Sequence, residues 1–207
     1  MSAAPDSNTD EVVDLVFALS GHALVEDYAE LLWQGLRASL PWLAEDEAAA
    51  VHPLARTSPG QGERYLSKHS RLTLRIAMGR VEQARVLCGR QLDLGSPVAV
   101  GAAVVRAIEP AKELHSGFVA LGLADEVAFL AACRRQLDDI GIGMAHLVTG
   151  KARRMQAAGR QVEGFGLMLH GLGKEDALRL QRAGLGEERK RGCGIFVPHK
   201  AVAAVGD

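Results

Sequence analysis

The chain has 207 residues, 48% of them hydrophobic, and a formal net charge of −1 at pH 7. This length and composition allow one buried core or two small ones and exclude disorder as the main state. Three cysteines without CxxC spacing favour neither a disulfide framework nor a zinc site, and no cofactor is expected. The sequence shows neither a signal-like leader nor an apolar run of membrane-spanning length, which predicts a cytoplasmic protein without a membrane partner.

Charge is distributed unevenly along the chain. Residues 1–50 hold ten acidic side chains and one basic side chain, a net charge of −9. Residues 151–200 hold eleven basic and five acidic side chains, a net charge of +6. A basic pole of this kind can attract a phosphate backbone although the whole protein is near neutral. Ordinary solvated helix faces are the alternative explanation.

The first predicted elements are a strand and a helix. Val12–Leu19 is rich in β-branched and large apolar residues, which is typical of a buried strand. From Tyr28 to Leu40 the apolar residues follow a helical period, and Pro41 ends the pattern. A loop with several prolines and glycines follows this helix.

The next strand is predicted at Ser70–Ile76, where polar and apolar residues alternate strictly. Its leucines and isoleucine would face the core, which turns Arg71, Thr73 and Arg75 outward. A short helix at Val81–Cys88 and a strand at Gln91–Leu94 are expected to complete a βαββαβ order.

The order then repeats in the second half of the chain. The expected elements are a strand at Leu114–Leu123, a helix at Glu126–Ile140, a weaker strand at Met144–Val148, a strand at Gly164–Gly171, a helix at Lys174–Ala183 and a strand at Ile195–Pro198. In the first of these helices, Val127, Leu130, Ala131 and Leu137 are expected to face inward. The repeated order predicts an α+β protein with two tandem ferredoxin-like domains.

The predicted domains are joined near Ile108–Pro110. We expect a disordered N-terminus at 1–10, domains at 11–108 and 112–200, and a tail at 201–207.

The segment Gly184–Gly194 has the composition of a loop that binds phosphate. Its four glycines permit positive φ angles and a close approach of backbone N–H groups to an anion. Between them, Arg189, Lys190 and Arg191 supply charge and, in the arginines, fork-shaped donors.

This segment resembles the C-terminal glycine-rich loop of the RAMP superfamily, in particular the CRISPR-associated endoribonucleases that cut precursor CRISPR RNA. Weaker motifs in the same order support the resemblance from about Val12 to Lys200: Leu40–Leu43, Val51–Leu54, Ser70–Arg75, Gly164–Gly171, Leu178–Gly186 and Gly192–Lys200. Together they are similar to the repeat-processing branch of type I systems of the Myxan kind.

The resemblance implies tandem ferredoxin-like domains and metal-free cleavage on the 3′ side of a repeat stem-loop. It also implies that the RNA product is retained with the other subunits of a type I interference complex. Such cleavage uses the 2′-hydroxyl as nucleophile and needs proton transfer and charge stabilisation from side chains.

Seven histidines compete for the proton transfer. His52 is the first candidate, because it precedes Pro53 in the loop after the first helix, where the family commonly places its catalytic histidine. His22 follows the first strand and is the second candidate. Tyr28 could orient the phosphate or the nucleophile, although packing would also explain it, and Lys68 could stabilise charge. Relatives often carry a histidine in the first helix, whereas Glu26–Glu47 contains none.

The candidates for RNA binding are basic side chains and the glycines beside them. A second basic stretch is expected to form a hairpin arm that contacts an RNA stem; its residues are Lys151, Arg153, Arg154 and Arg160. The arm would recognise the shape of the stem, because only 4% of the residues are aromatic and few could stack on bases. The full set is Gly184, Gly186, Arg189, Lys190, Arg191, Gly192, Gly194, Lys151, Arg153, Arg154, Arg160, Arg71, Arg75 and Lys200.

Two other functions remain open from the residues. A catalytically silent relative could hold the RNA handle as a structural subunit, with the same binding features. A small-molecule enzyme with a nucleotide loop at Gly184–Gly186 is disfavoured, because no Gly-Lys-Ser/Thr ending is present and these glycines follow a helix.

Overall fold

The computed structural model describes residues 11–143 and 145–199. The chain divides into two compact units. The first comprises the chain up to Ile108 together with Arg154–Val162 and Glu188–Cys193. The second comprises Glu109–Arg153, Glu163–Glu187 and the chain from Gly194 onward. The expected disordered N-terminus at 1–10, the tail at 201–207 and Lys200 lie outside the described residues.

The first unit contains eight strands and three short or medium helices within its described part. In chain order they are β1 (Val12–Ser20), β2 (Ala23–Val25), α1 (Ala29–Ser39), α2 (Trp42–Glu45), β3 (Ala50–Val51), β4 (Ser58–Pro59), β5 (Glu63–Tyr65), β6 (Arg71–Ala77), α3 (Val81–Ala84), β7 (Gln91–Asp93) and β8 (Pro97–Ala107). Five strands form an antiparallel sheet in the order β3-β6-β1-β8-β7. The strands β2, β5 and β4 form a small second sheet that the sequence did not predict.

The five-stranded sheet contains the ferredoxin-like order. In the chain order of the ferredoxin-like motif, the first strand is β1, the second is the short β3, the third is β6 and the fourth is β8. The expectation that Gln91–Leu94 completes the set is therefore wrong, because this segment forms only the edge strand β7. The longer β8 was missed, since its alanines and Gly101 show no clear apolar period.

The core of this unit lies between one face of the sheet and the helices. Leu72, Leu74 and Ile76 of β6 are at most 1% exposed within it, as the alternation predicted. They pack in the same cluster as Leu32 and Leu36 of α1. The opposite face of β6 carries Arg71, Thr73 and Arg75.

The second unit contains β9 (Glu113–Ala120), α4 (Glu126–Asp139), β10 (His146–Ala157), β11 (Arg160–His170), α5 (Lys174–Ala183) and β12 (Val197–Pro198), although the tip of the β10–β11 hairpin belongs to the first unit. Its four-stranded sheet has the order β10-β11-β9-β12, again the ferredoxin-like order. The prediction of two tandem ferredoxin-like folds is confirmed.

The predicted helix at Lys174–Ala183 is confirmed as α5, which ends at Gly184 with a φ of 68°. The inward face assigned to α4 is partly wrong. Phe129, Cys133 and Leu137 are buried there, whereas Val127 is 76% exposed. Asp125 caps this helix by accepting a hydrogen bond from the Ala128 N–H at 2.8 Å, which satisfies a backbone donor of the first turn.

Among the described residues, the helices are too short or too polar to cross a bilayer.

Candidate active site

Three strands of the first unit bring Asp14, His52 and Arg75 together. Asp14 lies on β1 directly opposite Arg75 on β6. His52 follows β3, and its N–H donates to the Thr73 carbonyl at 3.0 Å, which extends the pairing with β6 by one residue. All three side chains therefore lie on the sheet face away from the leucine core.

Asp14 and Arg75 form a two-point ion pair. The Arg75 Nε donates to Asp14 Oδ1 at 2.8 Å, and a terminal nitrogen donates to Oδ2 at 3.0 Å. The sequence predicted that Arg75 points outward and contacts RNA. In the structure Arg75 is 1% exposed, because its guanidinium is buried against Asp14. Burial opposes ionisation of Asp14, but the nearby His52 ring and the hydrogen bonds from Arg75 hold the pKa of its carboxyl well below the ordinary value.

The surroundings of His52 favour its neutral imidazole form. Burial lowers its pKa, and the nearby guanidinium groups of Arg75 and Arg189 act in the same direction, while Asp14 opposes them. The His52 Nε2 lies 3.5 Å from Asp14 Oδ1, beyond ordinary hydrogen-bond length, and the buried atom makes no hydrogen bond among the described residues. A neutral imidazole can accept a proton at pH 7.

Tyr28 is tied to the segment that carries His52. The Leu54 N–H donates to the Tyr28 hydroxyl oxygen at 2.9 Å, two residues beyond His52. Burial raises the pKa of the phenol, so Tyr28 remains neutral. The tyrosine thus fixes the loop after β3.

The basic cluster of the glycine-rich segment, Arg189–Arg191, lies within the first unit. Arg189–Arg191 form a single turn of 3-10 helix, in which all three side chains are half-buried. The Lys190 ammonium donates to the Asp46 carbonyl and, at 2.7 Å, to the Ala49 carbonyl. Burial lowers the pKa of Lys190 to about 8. Lys190 thereby satisfies carbonyls at and just beyond the C-terminal end of α2.

Arg191 connects the same turn to α1. Its Nε donates to Glu30 Oε2 at 2.5 Å, and a terminal nitrogen donates to Glu188 at 2.8 Å. The hydrogen bond from Arg191 lowers the pKa of Glu30 to about 2. Arg189 has a pKa lowered to about 10 by burial and by Arg75. Charged contacts therefore hold the segment Glu188–Cys193 against α1 and the end of α2 within the first unit.

The tip of the β10–β11 hairpin contacts the same two acidic residues, Glu30 and Glu188. The Ala158 N–H donates to Glu30 at 3.2 Å, and Arg160 pairs with Glu188 at 3.3 Å. Lys151, Arg153 and Arg154 on β10 are exposed, and the Arg160 side chain is 58% exposed. The predicted basic hairpin is thus present, with its cations largely at the surface.

Other candidates lie elsewhere in the first unit. His22 is exposed before β2, with its ring centroid 5.8 Å from that of Tyr65. Lys68 is exposed between β5 and β6, and its carbonyl accepts from Arg71. These residues are not joined to His52 by any hydrogen bond, ion pair or ring contact of the described part of the chain.

The glycines of the segment adopt the positive φ angles that the sequence predicted. In the second unit, a Cβ at Gly194 would lie 1.9 Å from the Leu185 carbonyl oxygen, so only glycine fits there. In the first unit, Gly192 has a φ of 90° and lies against Pro53, next to His52. The glycines thus serve close packing of the protein backbone.

Sequence reasoning missed three acidic residues of this region: Asp14, Glu30 and Glu188. Asp14 offered a signal, since it is the single charged residue inside the apolar strand β1. Glu188 has a φ of 60°, which no residue pattern revealed. Among the described residues, no three His, Cys, Asp or Glu side chains converge to hold a metal ion.

The fold is shared with solved structures that include a RAMP protein. A solved structure titled CRISPR associated protein Cas6 matches 92% of this chain and 100% of its own length, with a TM-score of 0.68 and 11% identity. A RAMP protein titled as binding different RNA substrates matches with a TM-score of 0.66 and 13% identity over 91% of this chain and 100% of its own.

Sequence comparison defines the family. The family described as Cas6 Crispr matches residues 13–201. A CRISPR-associated endonuclease Cas6 from Myxococcus xanthus (strain DK1622) is 35% identical over 195 residues, which cover 93% of this chain and 84% of the relative. This chain belongs to the Cas6 family.

Proposed function

We propose that this chain is a metal-independent endoribonuclease that binds the stem-loop of a CRISPR repeat and cuts the precursor RNA on its 3′ side. Membership of the Cas6 family and the endonuclease name of the Myxococcus xanthus relative support RNA cleavage. We further propose that the protein acts in the cytoplasm and keeps the RNA handle as a subunit of a type I interference complex.

The proposed reaction is an internal transesterification. The 2′-oxygen attacks the adjacent phosphorus, and its proton passes to His52. The bond from phosphorus to the 5′-oxygen breaks, and the leaving oxygen takes a proton from an acid or from water. The products are a 2′,3′-cyclic phosphate and a 5′-hydroxyl, so atoms and charge balance without a cofactor.

One observation carries this proposal: a largely buried imidazole, His52, lies 3.5 Å from the Asp14 carboxylate on a sheet face that also carries the Arg75 guanidinium. Burial lowers the pKa of this imidazole, which favours the neutral form that accepts a proton from a hydroxyl group. Its side chain is 12% exposed, so the reacting 2′-hydroxyl must reach a largely covered ring. His22 remains the second candidate for the proton transfer.

RNA binding is assigned first to the exposed basic side chains of β10 and Arg160. Phosphate contacts of this kind give affinity and position the RNA but carry little sequence information. Arg189 and Lys190 lie next to the site and would stabilise charge on the scissile phosphate once the RNA displaces their present contacts. The two ferredoxin-like domains are proposed to span residues 11–108 and 112–200.

The test is cleavage of a labelled stem-loop repeat RNA in EDTA by the wild-type chain and by His52→Ala. A substrate with a single 2′-deoxy nucleotide at the cut site is the matched control. We expect cutting of the ribose substrate by the wild type alone, with loss on the order of 10²–10⁴-fold in His52→Ala. Full activity of His52→Ala would transfer the role to His22.

A second function is favoured by the covered state of His52 and by the lack of a histidine in α1. In that case the protein binds the repeat RNA and does not cut it. Tight binding of the stem-loop RNA without cleavage by the wild type, in EDTA or in Mg²⁺, would establish this function and reject the endoribonuclease.

A further inference from the structure

Asp14 is the one acid within the apolar strand β1, and both of its carboxylate oxygens are engaged. Arg75 holds the two oxygens at 2.8 and 3.0 Å, which fixes the plane of the carboxylate. A bidentate contact of this kind determines the orientation as well as the energy of the pair. The oxygen Oδ1 then faces the His52 ring at 3.5 Å.

The contact determines which ring nitrogen of His52 carries the proton. An ionised carboxylate only accepts hydrogen bonds, so it favours the neutral ring in which the nitrogen that faces it, Nε2, carries the proton. The lone pair is left on Nδ1. The distance of 3.5 Å is long for a hydrogen bond, and such contacts often shorten when substrate binds.

Charges from four elements surround this contact. Asp14 on β1 favours the imidazolium, whereas Arg75 on β6 and Arg189 on the 3-10 turn oppose it. Arg106 on β8 is the cross-strand partner of Asp14 and lies at the surface. Asp14 is thus the single group of the set that stabilises a proton transferred to His52.

We propose that Asp14 is the positioning residue of His52: it fixes the ring with Nε2 protonated and Nδ1 turned to the RNA, and it stabilises the imidazolium after proton transfer. This inference rests on the proposed cleavage reaction. Arg75 contributes to this positioning indirectly, because it orients the Asp14 carboxylate.

The first test compares the wild-type chain with Asp14→Asn. We expect RNA binding to change less than about twofold and the single-turnover cleavage rate to fall by roughly 10–100-fold, a part of what a general base supplies. Loss of the carboxylate lowers the pKa of His52, so the acid limb of the pH–rate profile moves to lower pH. Asp139→Asn, an exposed acid at the end of α4, should leave rate and profile unchanged.

Asp14→Asn leaves the buried Arg75 without its carboxylate, which can prevent folding. A second variant, Asp14→Leu with Arg75→Met, removes both charges and replaces the pair by apolar groups. We expect it to fold, to bind RNA and to cleave slowly. Its acid limb should lie closer to the wild-type position, because an opposing cation is lost as well.

Nitrogen NMR of the His52 ring separates the inference from the reaction itself. The wild type should show the tautomer with Nε2 protonated, and both variants should show a mixture. That outcome supports the positioning role even if the wild type cuts no RNA, which would reject only the cleavage. A tautomer mixture in the wild type, or a folded variant with unchanged rate and pH profile, would overturn the role of Asp14.

Discussion

At the scale of single residues, register explains what the sequence analysis missed. The alternation in β6 correctly assigned Arg71, Thr73 and Arg75 to the face away from the core, but it gave no cross-strand partner. The register of β1 with β6 places Asp14 opposite Arg75, and the guanidinium is buried as a result. A partner 61 positions away is fixed by the three-dimensional pairing, which no local pattern reports.

The substitution Tyr28→Phe tests whether Tyr28 supports the loop after β3 or takes part in catalysis. Tyr28→Phe removes the acceptor of the Leu54 N–H, and an unsatisfied buried N–H costs about 1–3 kcal/mol. At about 2–4 °C per kcal/mol for a chain of this size, the melting temperature should fall by several degrees. We expect the cleavage rate at 25 °C to fall far less than in His52→Ala, because the hydroxyl acts by holding the loop.

Tyr65→Phe is the matched control for this prediction, since Tyr65 is 41% exposed and is the only other tyrosine. It should change neither quantity. Loss of cleavage in Tyr28→Phe without a change in melting temperature would instead make the phenol a catalytic group.

At the scale of elements, Glu30 ties three segments of the first unit together. It accepts hydrogen bonds from Arg191 of the 3-10 turn and from the Ala158 N–H of the hairpin, and it lies on α1 itself. Lys190 adds a contact to the end of α2. The glycine-rich segment therefore makes structural contacts in this unit, and the phosphate binding that its composition predicts remains a prediction.

Glu30→Gln tests this network through the pH dependence of stability. The folded-state pKa of Glu30 is about 2, below its ordinary value of 4.5. Its contribution to stability is thus complete above about pH 4.5 and is lost as the pH falls towards 2. We expect Glu30→Gln to lower the free energy of unfolding at pH 7 and to flatten its decline over that acid range, as measured by urea titration at several pH values.

Glu82→Gln is the control for Glu30→Gln. Glu82 pairs with Arg85 on the surface and is 85% exposed, and such pairs contribute about 0–1 kcal/mol. Equal effects of the two substitutions would contradict a structural role of the Glu30 network.

Elements were predicted where their residues show a strong period. α1 and β6 have such a period, β1 was predicted from its run of β-branched and large apolar residues, and the structure contains all three. β8 has small residues in place of a period, and the two residues of β3 are too few to show one. These two strands gain their stability from pairing with β1 and β6, so only the assembled sheet specifies them.

At the scale of the whole molecule, part of the charge gradient is neutralised by local contacts. Arg191 from the basic end of the sequence pairs with Glu30 from the acidic end, and Lys190 is bound to carbonyl groups. Exposed cations also lie on the β10–β11 hairpin, and they form the basic surface that is proposed to attract RNA. The sequence gradient therefore predicted where the cations lie along the chain, whereas burial determines which of them reach the surface.

This distribution predicts how salt affects RNA binding. Lys151→Gln with Arg153→Gln removes two exposed cations from β10. If both contact phosphates, the slope of log affinity against log salt concentration should decrease by about 2. Lys174→Gln with Arg135→Gln changes the net charge of the protein equally, but these residues lie on the helices α5 and α4 and not on the hairpin strands. Affinity measured at several salt concentrations should show the wild-type slope for this control. Equal slopes for both double variants would mean that net charge, and not the hairpin, attracts the RNA.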